Sequence, residues 1–304
     1  MSDIKTFPAK PYFDDFEEEK NFLKVLFRPG YSVQTRELNQ LQSILQDQIG
    51  ILADFSIPDG SSIIGGAVNL VSKLPFIKFG TGTSLSRELA EYQGATFVAA
   101  NGVEGTIKFM VASESGNPVT AYVKYDKAAG SVTTPANSSN VTITFEDTGT
   151  EVLTTATTSA TGNGAGVVMA PGIFYTNKAF VRTDDQLLLL SKYSTVIDTD
   201  AISIGITIKD TIVRPEQDIS LLDNASGTPN QSAPGAHRYK SEVILVNRAD
   251  VADAELQSYK ELMKLEFGKV AARPRLDSDV TVLEQILARR TFDQAGDYIV
   301  DDFI

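Results

Sequence analysis

The chain has 304 residues, of which 42% are hydrophobic, and it carries a net charge of −12. That length allows about two domains with a sizeable core. The acidic charge disfavours non-specific binding to nucleic acids or to anionic membranes. The sequence contains no Cys, no Trp and a single His, His237. This excludes disulfides, thiolate metal sites, cysteine nucleophiles and multi-histidine sites built by one chain, and it favours a structural role over catalysis.

The first twenty residues form an acidic arm in which two prolines disfavour a helix. The arm lacks the apolar run of a secretory signal, and no stretch approaches about 18 consecutive apolar residues, so we expect synthesis in the cytoplasm without membrane insertion. So short an arm cannot form a core alone, and its aromatic residues are expected to dock on the rest of the chain or on a neighbour. Four residues of the arm and of the apolar run after it are predicted to dock on a partner: Tyr12, Phe13, Phe16 and Arg28.

Residues from Ser32 onward predict an amphipathic helix, for which Ser32 can serve as the N-cap. The predicted wet side carries Gln34, Gln40, Gln42 and Gln46. A stripe at alternating steps of three and four residues, widened by Ile44 and Ile51, is predicted to be an oligomer interface: Leu38, Leu41, Leu45, Gln48, Leu52 and Phe55. The stripe either packs on its own domain or forms a short coiled-coil seam with the same helix of other subunits.

The middle of the chain is predicted to be mainly β. Ser56-Ile57 is expected to form a strand that enters a turn, and residues 84–92 a short helix. From residue 95 to 182, short β-branched runs recur about every 8 to 12 residues, which is typical of a sandwich or small barrel. Residues 128–177 contain no Lys or Arg. A surface with so little charge suits a packed β-module.

The last third combines longer strands with helices. A Pro/Gly/Asn/Ser-rich loop over residues 214–237 is long enough to indicate a functional or partner-held segment. Helices are predicted over residues 253–264 and 280–289, with a strand-like segment over 263–270. A final strand after the Gln-Ala-Gly-Asp turn is expected to pair with another subunit or to lead into further protein.

These elements predict an α+β fold that is mainly β, with an N-terminal helix, an inserted β-sandwich-like module, and a mixed β domain with C-terminal helices. The expected division has three parts. Residues 1–60 are the docking arm and helix, residues 61–94 and 183–304 are the mixed α+β body, and residues 95–182 are the inserted module.

The candidate chemistry is sparse, and we expect no catalytic residue, no cofactor and no metal. His237 is expected to be a loop histidine that makes a backbone or interface hydrogen bond. Asp198 and Asp200 are clustered oxygens of the kind that hard cations prefer, but their spacing does not match an EF-hand. The glycines at 162, 164 and 166 precede no helix that could bind a phosphate, and they are expected to form turns.

Several blocks of sequence resemble a family of tailed-bacteriophage virion proteins with tail-fibre and baseplate roles, built on an otherwise uncharacterised N-terminal domain. The resemblance lies in FDDFEEEKNFLKVLFRPGYSVQTRELNQLQSILQDQI, in SLLDNASGTPNQSAPGAHR, and in the later KLEFGKV and LARRTFDQAGDYIV blocks. It covers most of the chain outside residues 95–182, and the blocks occur in the same order.

The resemblance implies a non-enzymatic structural protein of the phage tail, an attachment or adaptor subunit at the baseplate or tail fibre. Such a protein would be located in the virion after assembly in the host cytoplasm. Its expected partners are other tail proteins and itself, as a homotrimer around the N-terminal helix, without nucleic acid. Two alternatives stay open: a glycan-binding or receptor-binding tail protein, and a polysaccharide depolymerase, for which the repeated β-helix rungs are lacking.

Overall fold

A computed structural model describes residues 5–114, 116–197, 201–227, 229–272, 286–292 and 294. In this part of the chain, helix α1 spans Thr35–Ser56, and residues 286–292 are also helical. The strands are β1 Ser62–Gly65, β2 Val68–Lys78, β3 Thr96–Ala99, β4 Glu104–Val111, β5 Thr120–Lys127, β6 Asn140–Thr144, β7 Thr150–Thr154, β8 Thr161–Met169, β9 Gly172–Thr176, β10 Ala179–Thr183, β11 Gln186–Ser191, β12 Ala201–Val213, β13 Arg238–Asn247, β14 Lys260–Glu266 and β15 Lys269–Ala272. The predicted class, α+β and mainly β, is confirmed.

The strands form three antiparallel sheets. A small sheet has the order β1-β9-β10, a large one the order β11-β8-β2-β5-β4-β3-β6-β7, and a third the order β13-β12-β14-β15. Strand β6 shows the underlying sequence rule, because Val141 and Ile143 are buried on one face and alternate with polar residues. Consecutive strands form six of the twelve neighbouring pairs, and the other six, such as β2-β8 and β1-β9, join strands that are distant in the chain.

The large sheet curls until its far edge meets its own middle. Phe79, directly after β2, pairs with Thr155, directly after β7, and the Gly80 N–H donates to the Thr154 carbonyl at 2.9 Å. The curled part encloses one core that includes Phe97 and Ile143, both almost fully buried. A low-charge segment folds well here because alternate residues fill one closed interior.

A second core lies where the three sheets meet. It combines Val167 of the large sheet, Phe174 of the small sheet, and Ile204 and Met263 of the third sheet. These side chains are fully buried, so the sheets are held together by apolar packing. Helix α1 contacts the small sheet through Tyr175 and the hairpin residue Lys178, and the N-terminal arm contacts Tyr239 of the third sheet.

Two glycines of β8 explain how β11 approaches it so closely. A Cβ at Gly164 would lie 2.7 Å from the Lys192 carbonyl oxygen, and one at Gly166 would lie 2.7 Å from the Leu188 carbonyl oxygen. The expected turns at these glycines are therefore wrong, because both positions lie inside a strand. Glycine is needed here to admit a neighbouring backbone.

Several predicted element boundaries are also wrong. The N-cap of α1 is Gln34, not Ser32, and its N–H donates to Glu37 Oε2 at 2.8 Å. The helix continues through Ser56, where a strand was expected. In place of the short helix over 84–92, the chain has a 3-10 turn at Leu89–Tyr92.

The predicted helix over residues 253–264 is wrong as well. Only a 3-10 turn at Asp253–Glu255 precedes β14, which makes a hairpin with β15. Other 3-10 turns lie at Glu18–Lys20, Ile219–Leu221 and Arg248–Asp250. The first part of the predicted 280–289 helix and the predicted final strand lie outside the described residues.

Strand pairing runs across the predicted module boundaries at residues 95 and 182. Strand β8 pairs with β2, and β9 pairs with β1, so the end of the predicted module shares its sheets with the predicted body. The division of the chain into three parts stays a prediction.

Candidate functional site

Helix α1 lies on the rest of the chain through its polar face. Ser43, Asp47, Gly50 and Ala53 are buried in the helix, together with Ile44. Ile44, which was expected to widen the stripe, is instead buried apart from it. The glutamines of the predicted wet side are exposed at Gln34 and Gln42 and half-buried at Gln40 and Gln46. The buried small and polar residues attach the helix to the rest of the chain.

The central partner is Lys178, whose side chain is only 1% exposed. Its Nζ donates to Asp47 Oδ1 at 2.9 Å and to Glu18 Oε1 at 3.0 Å. Burial alone would lower the pKa of Lys178, but hydrogen bonds to the two carboxylates outweigh it and hold the pKa above its ordinary value. Lys178 thus joins the arm, the helix and the β9–β10 hairpin.

The hairpin turn places this lysine against the helix. Asn177 and Lys178 have φ of 48° and 57°, the left-handed conformation that a two-residue hairpin turn requires. Lys178 then crosses the helix at Gly50, where an added Cβ would lie 2.5 Å from the lysine Cβ. Gly50 is therefore the residue that lets the hairpin approach.

Tyr175 of β9 provides a second joint. Its hydroxyl lies 2.7 Å from Asp54 Oδ1 and 3.0 Å from the Gly50 carbonyl oxygen. Burial and the hydrogen bond to Asp54 raise the pKa of Tyr175 well above its usual value. Together the contacts of Lys178 and Tyr175, here called the two joints, determine which side of the helix faces the rest of the chain.

As a result, the predicted stripe faces away from the body. At 100° per residue, the stripe and the buried face lie on opposite sides of the helix. Leu38, Leu45, Gln48, Leu52 and Phe55 are exposed, Leu52 to 73%, and Leu41 is half-buried. Ile49 and Ile51 add to the exposed apolar surface. In the part of the chain that the structure describes, the stripe therefore does not pack on its own domain.

The exposed side of α1 also carries no charge over most of its length. Between Leu38 and Phe55 the only charged residues are Asp47 and Asp54, and both contact the body. A helix face meant for water normally carries charged side chains. An uncharged apolar face indicates a surface that another protein covers.

A second exposed apolar surface precedes the helix. Residues 22–33, here called the apolar segment, have no regular secondary structure. Its large exposed side chains are Phe22, Leu23, Leu26, Phe27, Tyr31 and Val33. Within the segment, Val25 packs on Phe16 and Ile44. The segment is therefore anchored at one point while most of its apolar side chains face outward.

The acidic arm docks on its own chain. The Tyr12 hydroxyl lies 2.7 Å from His237 Nδ1, and Phe7 contacts the rings of both Tyr12 and Tyr239 edge-on. His237 lies in a loop as expected, but its partner is the side chain of Tyr12 and not a backbone group or another subunit. Behind this contact, Asp14 is buried and accepts a hydrogen bond from Ser43. The long 214–237 loop therefore ends at the arm.

The predicted docking residues separate into two pairs. Tyr12 and Phe16 contact their own chain. Phe13 is 52% exposed, and Arg28 is exposed with its guanidinium 4.6 Å from the Tyr31 ring centroid. Only the second pair is free to meet a partner.

Sequence reasoning missed Lys178 and the apolar segment as parts of the site. The segment had a signal, because apolar residues in an irregular stretch flanked by an acidic arm have no core of their own. No sequence signal indicated that Lys178 belongs to the site, because a lysine in a predicted hairpin is ordinarily exposed.

The described residues contain no group of three or more His, Asp or Glu side chains that could hold a metal ion. Asp198 and Asp200 lie outside them. Nor does this part of the chain include a helix with the length and apolar character needed to cross a membrane. The best candidate for a functional site in this part of the chain is therefore the exposed apolar surface of α1 and of the segment before it.

A family described as a domain of unknown function, DUF4815, matches residues 10–78 and 167–304, well over half of the chain. The chain belongs to the DUF4815 family. The matched residues include α1, the apolar segment and the Lys178 joint, whereas β3 to β7 lie between the two matched segments. No curated protein and no solved structure matches the chain. The DUF4815 region therefore includes the candidate site.

Proposed function

We propose that this DUF4815 protein is a non-enzymatic structural subunit of a phage tail, an adaptor at the baseplate or tail fibre that forms a homotrimer through helix α1. The observation that carries the proposal is the exposed, uncharged stripe from Leu38 to Phe55 on a helix whose opposite face is fixed to the body. The tail location rests on the resemblance of the sequence blocks given above.

The spacing of the stripe supports a seam between identical helices. Steps of three and four residues keep apolar side chains on one side of a helix, as in coiled coils. Gln48 lies within the stripe and is exposed. A polar residue at one seam position sets register at some cost in stability. Each chain carries a net charge of −12, so an uncharged surface is where copies approach with least repulsion.

Light scattering coupled to size-exclusion chromatography tests the assembly. The full chain should elute with about three times its 32.9 kDa mass. Leu45→Asp should shift it towards the monomer, whereas Ile219→Asp, at an exposed apolar position on another surface, should not. A monomeric mass that Leu45→Asp leaves unchanged would overturn the proposal.

Antibody labelling of virions tests the location separately. The label should lie at the tail end of particles of the phage that encodes the chain. Label on the capsid alone, or none on intact and gently opened particles, would contradict the tail assignment while leaving the oligomer intact.

A further inference from the structure

The apolar segment, residues 22–33, is largely uncovered in the part of the chain that the structure describes. Six large apolar side chains are exposed, among them Leu26 to 82%. Solvent-exposed apolar side chains are ordinary when scattered singly, but a run of this density marks a contact surface.

The backbone of the segment is also free to bond elsewhere. Among the described residues, the only backbone–backbone hydrogen bond that involves residues 22–30 runs from the Tyr31 N–H to the Arg28 carbonyl. Within this part of the chain, the N–H and C=O groups of residues 22–27 therefore have no backbone partner. Extended peptides of this kind bind by laying apolar side chains and backbone groups along a second surface.

The segment lies between two parts of the chain that are fixed. Before it, Glu18 bonds to Lys178, and within it Val25 packs on Phe16 and Ile44. At its other end the segment leads directly into α1. The contacts of the arm and of the helix therefore limit where the segment can lie.

Its charge fits a second copy of this chain. Residues 22–33 contain Lys24 and Arg28 and no acidic residue, although the whole chain carries −12. A basic segment on an acidic protein is attracted to the surface of another copy. The exposed side of α1 bears no charge between Leu38 and Phe55, so no buried charge opposes contact there.

The area is sufficient for a stable contact. Taking about 150–250 Å² for each fully exposed large apolar side chain, the exposed fractions in the segment and in the stripe with Ile49 and Ile51 correspond to about 500–900 Å² each. Together this is about 1,000–1,800 Å² for each chain, above the roughly 800 Å² per partner of a standard interface. The helix supplies only about half of this area.

We infer that the apolar segment of one subunit packs against helix α1 of the adjacent subunit beside the helix seam, where the exposed Ile49 and Ile51 flank the stripe. The inference rests on the proposed self-assembly and names its second element. In a closed ring, a contact between two different surfaces repeats at every subunit. Every segment and every helix is then covered without requiring another protein.

The absence of Cys allows a direct test by engineered disulfides. Two differently tagged full-length chains are co-expressed, one with L26C and the other with I49C or I51C. Mild oxidation should join the two tags for at least one helix position, several-fold above the F267C control, whose position is also exposed and apolar. Cross-linking at the control level for both positions would overturn the inference.

A second measurement separates this inference from the proposed function. In analytical ultracentrifugation, Leu26→Glu should weaken self-association at least tenfold, while Leu26→Met should leave it near the wild-type value. If Leu26→Glu assembles like the wild type while Leu45→Asp dissociates, the segment has no role and the helix interface stands. If the wild type stays monomeric at the highest concentration, both proposals fail.

Discussion

Replacing Lys178 by Met should lower the free energy of unfolding by about 3 kcal/mol, near the lower end of the cost of breaking a buried ion pair. The Lys178 side chain is 1% exposed, and its removal leaves Asp47, only 13% exposed, without its cation at 2.9 Å. Glu18 is 38% exposed, so water compensates most of its loss. Met keeps the alkyl stem that crosses Gly50, so the change isolates charge from packing.

Urea unfolding at pH 7, followed by circular dichroism at one fixed protein concentration, measures this loss. The matched control is Lys192→Met. Its Nζ is also 2.9 Å from a carboxylate, that of Glu114, but the two side chains are 38% and 68% exposed. Exposed pairs contribute about 0–1 kcal/mol. Equal losses in the two variants, or a loss below about 1 kcal/mol for Lys178→Met, would refute the argument from burial.

Three further predictions concern the joints and the cores. Tyr175→Phe should cost about 1–3 kcal/mol in urea unfolding, because Asp54 loses its buried donor; no loss would mean that this joint is not formed. Gly50→Ala should cost about 1–3 kcal/mol, since the new methyl group would overlap the lysine that crosses it; a neutral result would show that the hairpin can shift. The Tyr125 hydroxyl is buried without a hydrogen bond, and burial raises the pKa of Tyr125 to about 12. The native state keeps this proton above pH 10 while the unfolded chain releases it, so the urea midpoint of the wild type should fall between pH 9 and 11. Tyr125→Phe should make that fall smaller, and it should raise the free energy of unfolding at pH 7 by about 1 kcal/mol. An unchanged dependence of the midpoint on pH in the variant would contradict this.

The fold class followed from residue patterns because strand and helix periodicity are local properties. The alternation that buries Val141 and Ile143 can be recognised within one strand. The spacing of three and four residues in α1 can be recognised within a few helical turns. Boundaries were less predictable, since they depend on capping and on neighbouring strands. Residues 260–264 have helical composition, yet they form β14 because β12 offers them a backbone partner.

The candidate interface likewise depends partly on a local sequence pattern and partly on contacts between distant residues. The stripe from Leu38 to Phe55 was identified from its spacing, but spacing alone left open whether the body or another subunit covers it. The answer depends on Lys178, which is more than 120 residues away in sequence from its partner Asp47. No local pattern indicates that a lysine will be buried on the glutamine-rich side of the helix.

The sequence alone determined that this chain lacks cysteine chemistry, that it is mainly β, and that its N-terminal helix carries an apolar stripe. Tertiary structure decided which way that stripe faces. An amphipathic helix ordinarily turns its apolar side inward, because burial of apolar surface is the largest favourable contribution to folding. Here buried hydrogen bonds to Asp47, Asp54 and the Gly50 carbonyl hold the opposite side against the rest of the chain, and the apolar side is left exposed.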